Sequence, residues 1–128
     1  MSVVAADSSI GTDVVIGQNC VVHPSARIAS NVVIGDYTVI SEFTIIESNV
    51  GHHNYIDSGA CIYAPIGNYN YIGIQALVDS PLYNNHTIRH RQHITIGKAQ
   101  QTHPIVDNIE NYVKYCKQVL PKHLKLRQ

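Results

Sequence analysis

The chain has 128 residues, 45% of them hydrophobic, and a formal net charge of zero. This length fits a single domain with a buried core, and the apolar runs are far too short to span a bilayer. The three cysteines, Cys20, Cys61 and Cys116, are an odd number without Cys-x-x-Cys spacing, which argues against a disulfide framework or a thiolate zinc site. With no visible export signal, we expect a soluble protein of a reducing compartment, the cytoplasm.

The charges are unevenly distributed along the chain. Residues 1–88 hold seven acidic side chains and one basic side chain, Arg27, whereas residues 89–128 hold eight basic and two acidic side chains. The first part therefore has a balance of −6 and the second a balance of +6. Such a polarity can orient a partner, although salt screens it within about 10 Å.

A hydrophobic period of six dominates the first part of the chain. Eight aliphatic residues follow one another at intervals of six, from Val4 to Ile46, without a miss. Neither a helix, with its period of 3.6, nor a strand, with its period of 2, has this repeat. Glycine often follows these positions, as at Gly11 and Gly17, which suits a tight corner. We interpret each hexad as a short extended side with one aliphatic residue pointing inward, and three sides as one triangular coil.

After Ile46 the period becomes six, six, four, so that one corner of each coil is shortened by two residues. The steps of four precede Val50, Ile66 and Leu82. The whole ladder has 17 inward positions between Val4 and Ile94, nearly six coils with a length of about 25 Å. This hexapeptide-repeat pattern predicts an all-β solenoid. It resembles the left-handed hexapeptide family, which implies a left-handed parallel β-helix of five to six triangular coils over residues 1–100.

A helical period replaces the ladder near the C-terminus. Apolar residues from Ile105 to Leu120 recur at i, i+3, i+4 and i+7, and the stripe ends at Pro121. Asp107 and Glu110 suggest a capping-box-like start. We therefore predict that residues 101–128 form an amphipathic α-helix of about four turns and a basic tail, packed on the β-helix.

Two segments resemble the dynactin subunit 6 family, the small β-helical subunit at the pointed end of dynactin. Residues 14–28 contain Ile-Gly, then His-Pro, then Ala-Arg-Ile, as that family does. The second match is the ending, with Gln101-Thr102, Pro104, the helix, Val119-Leu120-Pro121 and His123-Leu124-Lys125. The chain is shorter than the usual members, and residues 40–95 match only as a repeat.

This resemblance implies a non-catalytic structural or adaptor subunit. Such a subunit would pair with a related β-helical dynactin subunit, lie near an actin-related protein and support dynein cargo engagement in microtubule-based transport. The resemblance implies a place in the cytoplasm and cytoskeleton, without cofactor, metal or nucleic acid and with only indirect membrane contact. It also argues against a homotrimer.

Outward tyrosines and the basic tail are the predicted partner contacts. Tyr55 and Tyr71 precede inward residues one repeat apart, and Tyr37 and Tyr69 also take non-inward positions. Large amphipathic side chains on a rigid face are typical of protein interfaces, although the Tyr55 and Tyr71 column can instead lie under the C-terminal helix. Lys122 and Lys125 are candidates for contact with an acidic filament or anionic lipid, with a solvated helix end as the alternative.

One enzymatic alternative is an acyltransferase that uses an acyl-CoA donor and a histidine general base. The candidate bases are His52, His53, His86, His90 and His93. Two features argue against it: few residues lie outside the ladder to form a protruding loop, and the late coils lack a run of glycine and alanine suited to a pantetheine arm.

A second alternative is a zinc enzyme resembling the γ-class carbonic anhydrases. Gly51-His52 matches part of that family's motif, but Asp57 stands where the second histidine is expected, and Arg27 is not followed by Gly-Asp. His86, His90 and His93 fall at an interior, a corner and an outer position of one coil. We therefore expect that they do not converge on a metal.

Overall fold

The computed structural model describes residues 1–94 and 102–127 and has a left-handed parallel β-helix over the first of these ranges. Each strand has two residues, because the chain turns a corner between successive sides of the triangle. The strands are β1 Val3–Val4, β2 Ser9–Ile10, β3 Val15–Ile16, β4 Val21–Val22, β5 Arg27–Ile28, β6 Val33–Ile34, β7 Val39–Ile40, β8 Ile45–Ile46, β9 Tyr55–Ile56, β10 Cys61–Ile62, β11 Tyr71–Ile72, β12 Leu77–Val78, β13 Thr87–Ile88 and β14 His93–Ile94.

The strands stack into three faces that run along the solenoid. Face A consists of β1, β4, β7, β9, β11 and β13, and face C consists of β2, β5, β8, β10, β12 and β14. Face B consists of β3 and β6, continued by single-residue bridges at Val50, Ile66 and Leu82. Because the corner before each of these three residues is two residues short, face B has only bridges in the later coils.

The predicted aliphatic rungs form the interior of the solenoid. Ile56 pairs in parallel with Ile72, and Ile72 pairs with Ile88, so that these side chains lie above one another. All 17 predicted inward residues belong to this core, and those of the first coil are partly exposed because no coil lies beyond them among the described residues. Burial of one such side chain contributes roughly 1.5–3 kcal/mol. The sequence prediction of the fold is therefore confirmed.

An amide ladder holds the interior corner between faces B and A. The backbone N–H of Asn70 donates to Oδ1 of Asn54 at 2.9 Å, and the N–H of His86 donates to Oδ1 of Asn70 at 2.9 Å. The Asn54 amide also donates to the carbonyl of Gly67 at 2.7 Å. These bonds satisfy polar groups that are buried in the solenoid, as such groups require.

The C-terminal part has two helices, α1 Pro104–Asp107 and α2 Ile109–His123. The prediction of one helix that stops at Pro121 with a capping-box start is wrong in detail. Asn108 has ψ of 19° and separates the helices, and the His103 ring accepts from the Ile105 N–H at the start of α1. In the described residues, no helix is long and apolar enough to cross a membrane.

Helix α2 covers face A and forms a second apolar core with it. The members of this core are Val3, Val21, Val39, Tyr55 and Tyr71 of face A with Val106, Ile109, Val113 and Cys116 of the helical part. The tail then runs antiparallel to the first coil, where Leu126 bridges Ala5 and the Arg127 N–H donates to the Val4 carbonyl at 2.7 Å. The predicted boundary at residue 100 lies outside the described residues.

Candidate functional site

Face A cannot present the tyrosines that the sequence suggested as partner contacts. Tyr55 is 8% exposed and Tyr71 is 7% exposed, because the C-terminal part lies over face A and the His103 ring stacks on Tyr71 with a centroid distance of 4.0 Å. Their rings stack with a centroid distance of 5.7 Å, and Tyr112 of α2 meets the Tyr55 ring edge-on. Their outward orientation is as predicted, but the assignment of these two residues to an open contact surface is wrong.

The other suggested contacts lie on the surface. Tyr37 and Tyr69 occupy the corner between faces B and A, where the His53 ring is stacked between them at centroid distances of 5.1 and 4.8 Å. Tyr69 is partly exposed, and Lys122 and Lys125 are exposed. A role of Tyr37, Tyr69 and the two lysines in partner binding stays a prediction.

Three of the five candidate histidines hold the solenoid together. His52 Nδ1 accepts the backbone N–H of Asp36 at 2.7 Å, and His90 Nδ1 accepts the N–H of Ile74 at 2.8 Å. The His86 side chain is buried in the solenoid, and its backbone N–H continues the interior amide ladder. Because each of these residues has a structural task, none of them is the best placed proton acceptor.

His53 is also poorly placed to act on a substrate. Its Nε2 lies 3.2 Å from Oε2 of Glu110 on α2, and its Nδ1 is buried without a hydrogen-bond partner. Tyr37 and Tyr69 cover both faces of the ring. The imidazole is therefore fixed between the solenoid and the helix.

His93 differs because a carboxylate orients it on a face that no described helix covers. It lies on face C in the last described coil, with Nε2 2.6 Å from Oδ2 of Asp79, and the two side chains are 53% and 38% exposed. An ionised carboxylate only accepts hydrogen bonds, so Nε2 carries the proton in the neutral ring and Nδ1 keeps its lone pair. This arrangement can serve as a general base.

Asp79 is the functional candidate that the sequence analysis missed. Asp79 follows β12, which pairs with β14, and this pairing places Leu77 beside His93 and Asp79 next to both. The spacing in the sequence could have indicated this pair. Residues 16 apart lie side by side on successive coils, so Asp79 and His93, which are 14 apart, are diagonal neighbours.

A continuous column of side chains links this pair to Arg27 on β5, one strand from the other end of face C. Strand register places Arg27 beside Ile45, Ile45 beside Cys61, Cys61 beside Leu77, and Leu77 beside His93. No helix covers these five residues in the part of the chain that the structure describes. Face C therefore presents one open track with different chemistry at its two ends.

A cavity of about 250 Å³ lies at the Arg27 end of this track. Its polar lining comes from Ser9, Arg27, Ser30 and Glu47. Within residues 1–94 and 102–127, no three His, Cys, Asp or Glu side chains group closely enough to hold a metal ion.

Residues 13–48 match the family model described as bacterial transferase hexapeptide (six repeats). The chain therefore contains hexapeptide repeats. Among solved structures, this hexapeptide-repeat protein is similar to the BC4754 gene product of Bacillus cereus, an inferred acetyltransferase, with a TM-score of 0.59 and 13% identity over 91% of this chain and 88% of that chain. At this identity the likeness concerns the fold. Among curated proteins, no sequence matches the chain.

Two further structures are also similar to this hexapeptide-repeat protein. The acetyltransferase domain of PglB from Neisseria gonorrhoeae FA1090 has a TM-score of 0.48 and 14% identity, over 78% of this chain and 51% of that chain. A hexapeptide transferase family protein from Anaplasma phagocytophilum has a TM-score of 0.49 and 13% identity, over 96% and 93%.

The match to a transferase family contradicts the prediction of a non-enzymatic dynactin-like subunit. The segment of residues 14–28, which carried the first resemblance to dynactin subunit 6, lies inside the matched range of residues 13–48. The comparisons support the hexapeptide-repeat assignment and give no support to dynactin, dynein or a cytoskeletal role. They favour the acyltransferase alternative.

Proposed function

We propose that this protein is an acyltransferase that moves an acyl group from an acyl-CoA thioester to a hydroxyl or amine. The transferase family model over residues 13–48 supports this class, and the descriptions of the structural neighbours agree with it. The observation that carries the proposal is the pairing of His93 with Asp79 at 2.6 Å on the uncovered face C.

His93 acts as the general base in the proposed reaction. Its Nδ1 takes the proton of the acceptor hydroxyl or amine while the acceptor oxygen or nitrogen attacks the thioester carbonyl carbon. The new C–O or C–N bond forms, the C–S bond breaks, and the leaving thiolate takes the proton back from the imidazolium. The products are the acylated acceptor and the CoA thiol, with no further reactant. A positioned base of this kind contributes about 10²- to 10⁴-fold to the rate.

Asp79 has a positioning role. Its carboxylate fixes the tautomer and the orientation of the His93 ring and stabilises the imidazolium that forms during the reaction. Because the ion pair is about half exposed, solvent screens it and its contribution to folding stability is small. We therefore expect its effect on turnover to exceed its effect on stability.

The direct test measures thiol release by the purified protein. Acetyl-CoA is incubated with a panel of small hydroxyl and amine acceptors, and the free thiol is detected with a chromogenic disulfide. The wild-type protein should release thiol in an acceptor-dependent manner, and His93→Gln should lower kcat about 100-fold or more at an unchanged melting temperature.

The matched control is His53→Gln, which removes a histidine outside face C and should leave kcat within about threefold of the wild type. An inactive wild-type protein across a range of acyl-CoA donors would overturn the proposal, and so would full activity of His93→Gln. Copurification from native cells with a different β-helical chain and actin-related proteins, without transferase activity, would also count against it.

A further inference from the structure

We propose that the groove between α2 and the corner of faces A and B binds a small phosphorylated sugar, with its phosphate at one end and its hydroxyl groups at the other. The groove contains a cavity of about 420 Å³, a volume typical of small-molecule sites. Tyr37, which lines it, precedes β7 in the third coil, whereas His93 belongs to β14 in the sixth. The groove is therefore separate from face C, and the inference does not rest on the proposed transferase activity.

Two lysines at one end of the groove have no anionic partner. Lys114 and Lys117 both line the cavity. Lys117 is half-buried, and its Nζ donates to Oδ1 of Asn19, a neutral acceptor, at 2.7 Å. In the part of the chain that the structure describes, neither lysine forms an ion pair. Two ammonium groups beside one cavity repel each other, and a phosphate between them removes this repulsion and accepts charge-assisted hydrogen bonds.

Neutral donors lie at the same end. Asn19 has φ of 59° at its corner, and its side-chain oxygen already accepts from Lys117. Its side-chain NH₂ group donates to no residue among 1–94 and 102–127, so it is available to a ligand oxygen. The amides of Asn111 and Gln118 line the cavity from α2. Amide groups both donate and accept, which suits phosphate oxygens and sugar hydroxyls.

The other end of the groove suits hydroxyl groups and disfavours a second phosphate. Glu110 lines the cavity there, and its Oε2 lies 3.2 Å from Nε2 of His53. A carboxylate accepts hydrogen bonds from hydroxyl groups and repels an anion. The partly exposed ring of Tyr37 offers apolar surface to the C–H groups of a sugar, and its burial by the ligand is favourable.

The helix sets the distance between the two ends. Glu110 and Lys117 are seven residues apart on α2, which corresponds to roughly 10 Å at about 1.5 Å per residue. A six-carbon sugar phosphate has about eight bonds from its first oxygen to phosphorus, which reach at most about 10 Å at about 1.2 Å per bond. Such a ligand contacts both ends together, whereas inorganic phosphate or an unphosphorylated sugar contacts only one.

Calorimetric titration of the full chain tests the site with three probes, glucose 6-phosphate, glucose and inorganic phosphate. Glucose 6-phosphate should bind with a Kd of about 1 mM or below, and the other two should bind at least about tenfold more weakly. Lys114→Gln and Lys117→Gln should each raise the Kd for glucose 6-phosphate about five- to tenfold, because each removes one charge-assisted hydrogen bond. Glu110→Gln should narrow the difference between glucose 6-phosphate and inorganic phosphate.

Lys122→Gln is the matched control, because it removes an exposed lysine of the same helix that does not line the cavity. It should leave the Kd for glucose 6-phosphate within about twofold of the wild type, which separates a local contact from a general loss of positive charge. If Lys117→Gln fails to fold, Lys114→Gln decides by the same comparison, since Lys114 makes no hydrogen bond or ion pair to any described residue.

Two results would overturn the inference. One is the absence of saturable binding of glucose 6-phosphate, ribose 5-phosphate and glycerol 3-phosphate up to about 10 mM. The other is an equal loss of affinity in Lys114→Gln and Lys122→Gln, which would mean unspecific attraction of anions to α2. The proposed function is tested apart from this site, because His93→Gln should lose thiol release and still bind glucose 6-phosphate like the wild type.

Discussion

Faces A and C have the same arrangement of strands but different surroundings, because only face A is packed against the C-terminal helices. Each has six short parallel strands, and each places one outward side chain on every coil. The outward column of face A is apolar or aromatic through β1, β4, β7, β9 and β11, and α2 covers it. The column of face C changes from Arg27 to His93 through Ile45, Cys61 and Leu77, and no helix of the described residues covers it. The inward rungs therefore determine the fold, while the outward column decides whether a face binds the helix or is free for a ligand.

The largest effect should come from a charge placed under α2. Val113 is 1% exposed against face A, so Val113→Asp buries a carboxylate without a partner and should lower the free energy of unfolding by about 3 kcal/mol or more. The matched change on face C, Leu77→Asp, should cost less than about 1 kcal/mol because the side chain can reach water. Urea denaturation measures both, and equal losses would contradict the contrast between the two faces.

The second effect concerns turnover on face C. Asp79→Asn removes the charge that orients His93 and should lower kcat about 10- to 100-fold. The free energy of unfolding should stay within about 0.5 kcal/mol, since the pair is half exposed. Asp13→Asn is the control, because Asp13 is an exposed corner residue with φ of 57°, which asparagine also tolerates. A wild-type kcat in Asp79→Asn would remove Asp79 from the site.

A third effect should appear at alkaline pH and concerns the tyrosines between face A and the C-terminal helices. Burial raises the pKa of Tyr55, of Tyr71 and of Tyr112, and for Tyr71 the hydrogen bond to Asp57 also raises the pKa. The folded protein therefore holds these protons more tightly than the unfolded chain does. The stability linked to them is complete below the ordinary tyrosine pKa of about 10 and is lost as the pH rises above it.

The measurement is the free energy of unfolding between pH 8 and pH 11, together with the ultraviolet absorbance of ionised tyrosine. Tyr112→Phe should reduce the alkaline decline, and Tyr83→Phe, at an exposed position, should leave it unchanged. Simple titration of all eight tyrosines near pH 10, with no loss of structure, would show that α2 does not shield face A.

The smallest effect should come from the contact between Glu110 of α2 and His53, which lies at the corner between faces B and A. Glu110 is mostly exposed, although His53 is mostly buried, so Glu110→Gln should cost less than about 1 kcal/mol. A double-mutant cycle with His53→Gln gives their coupling free energy. A coupling above about 2 kcal/mol would mean that this contact, and not the apolar core beneath the helix, holds α2 on face A.

The interior of the solenoid could be predicted because each inward position must be aliphatic. The interval of six, and the later step of four, place Val50, Ile66 and Leu82 on face B without reference to any other part of the chain. The position of an inward residue depends only on its own coil and the two adjacent coils, since each coil packs only on its neighbours.

The place of α2 could not be predicted from the helix alone, because an apolar stripe does not name the surface that covers it. On the solenoid, Val3, Val21 and Val39 stand at intervals of 18, in the outward column that leads to Tyr55 and Tyr71. Val15 and Val33 hold the corresponding outward positions of face B and are exposed. An outward valine therefore does not by itself identify the face that the helix covers.

The proposed pair was harder to see because Asp79 and His93 belong to different coils. Only the register of β12 and β14 brings them together. The function was harder still, since one solenoid supports several activities and the outward residues that distinguish them follow no period.

The antiparallel contact between Leu126 and Ala5 has a consequence for cooperativity. A stack in which coils touch only their neighbours can fray from either end in small steps. Here the last described residues pair with the first coil, and α2 bridges coils from Val3 to Tyr71. The chain must therefore close a loop of about 120 residues before its first coil is secured, which slows folding but couples the coils. Unfolding should accordingly be all-or-none, with hydrogen-exchange protection in the first coil nearly as high as in the middle of the stack.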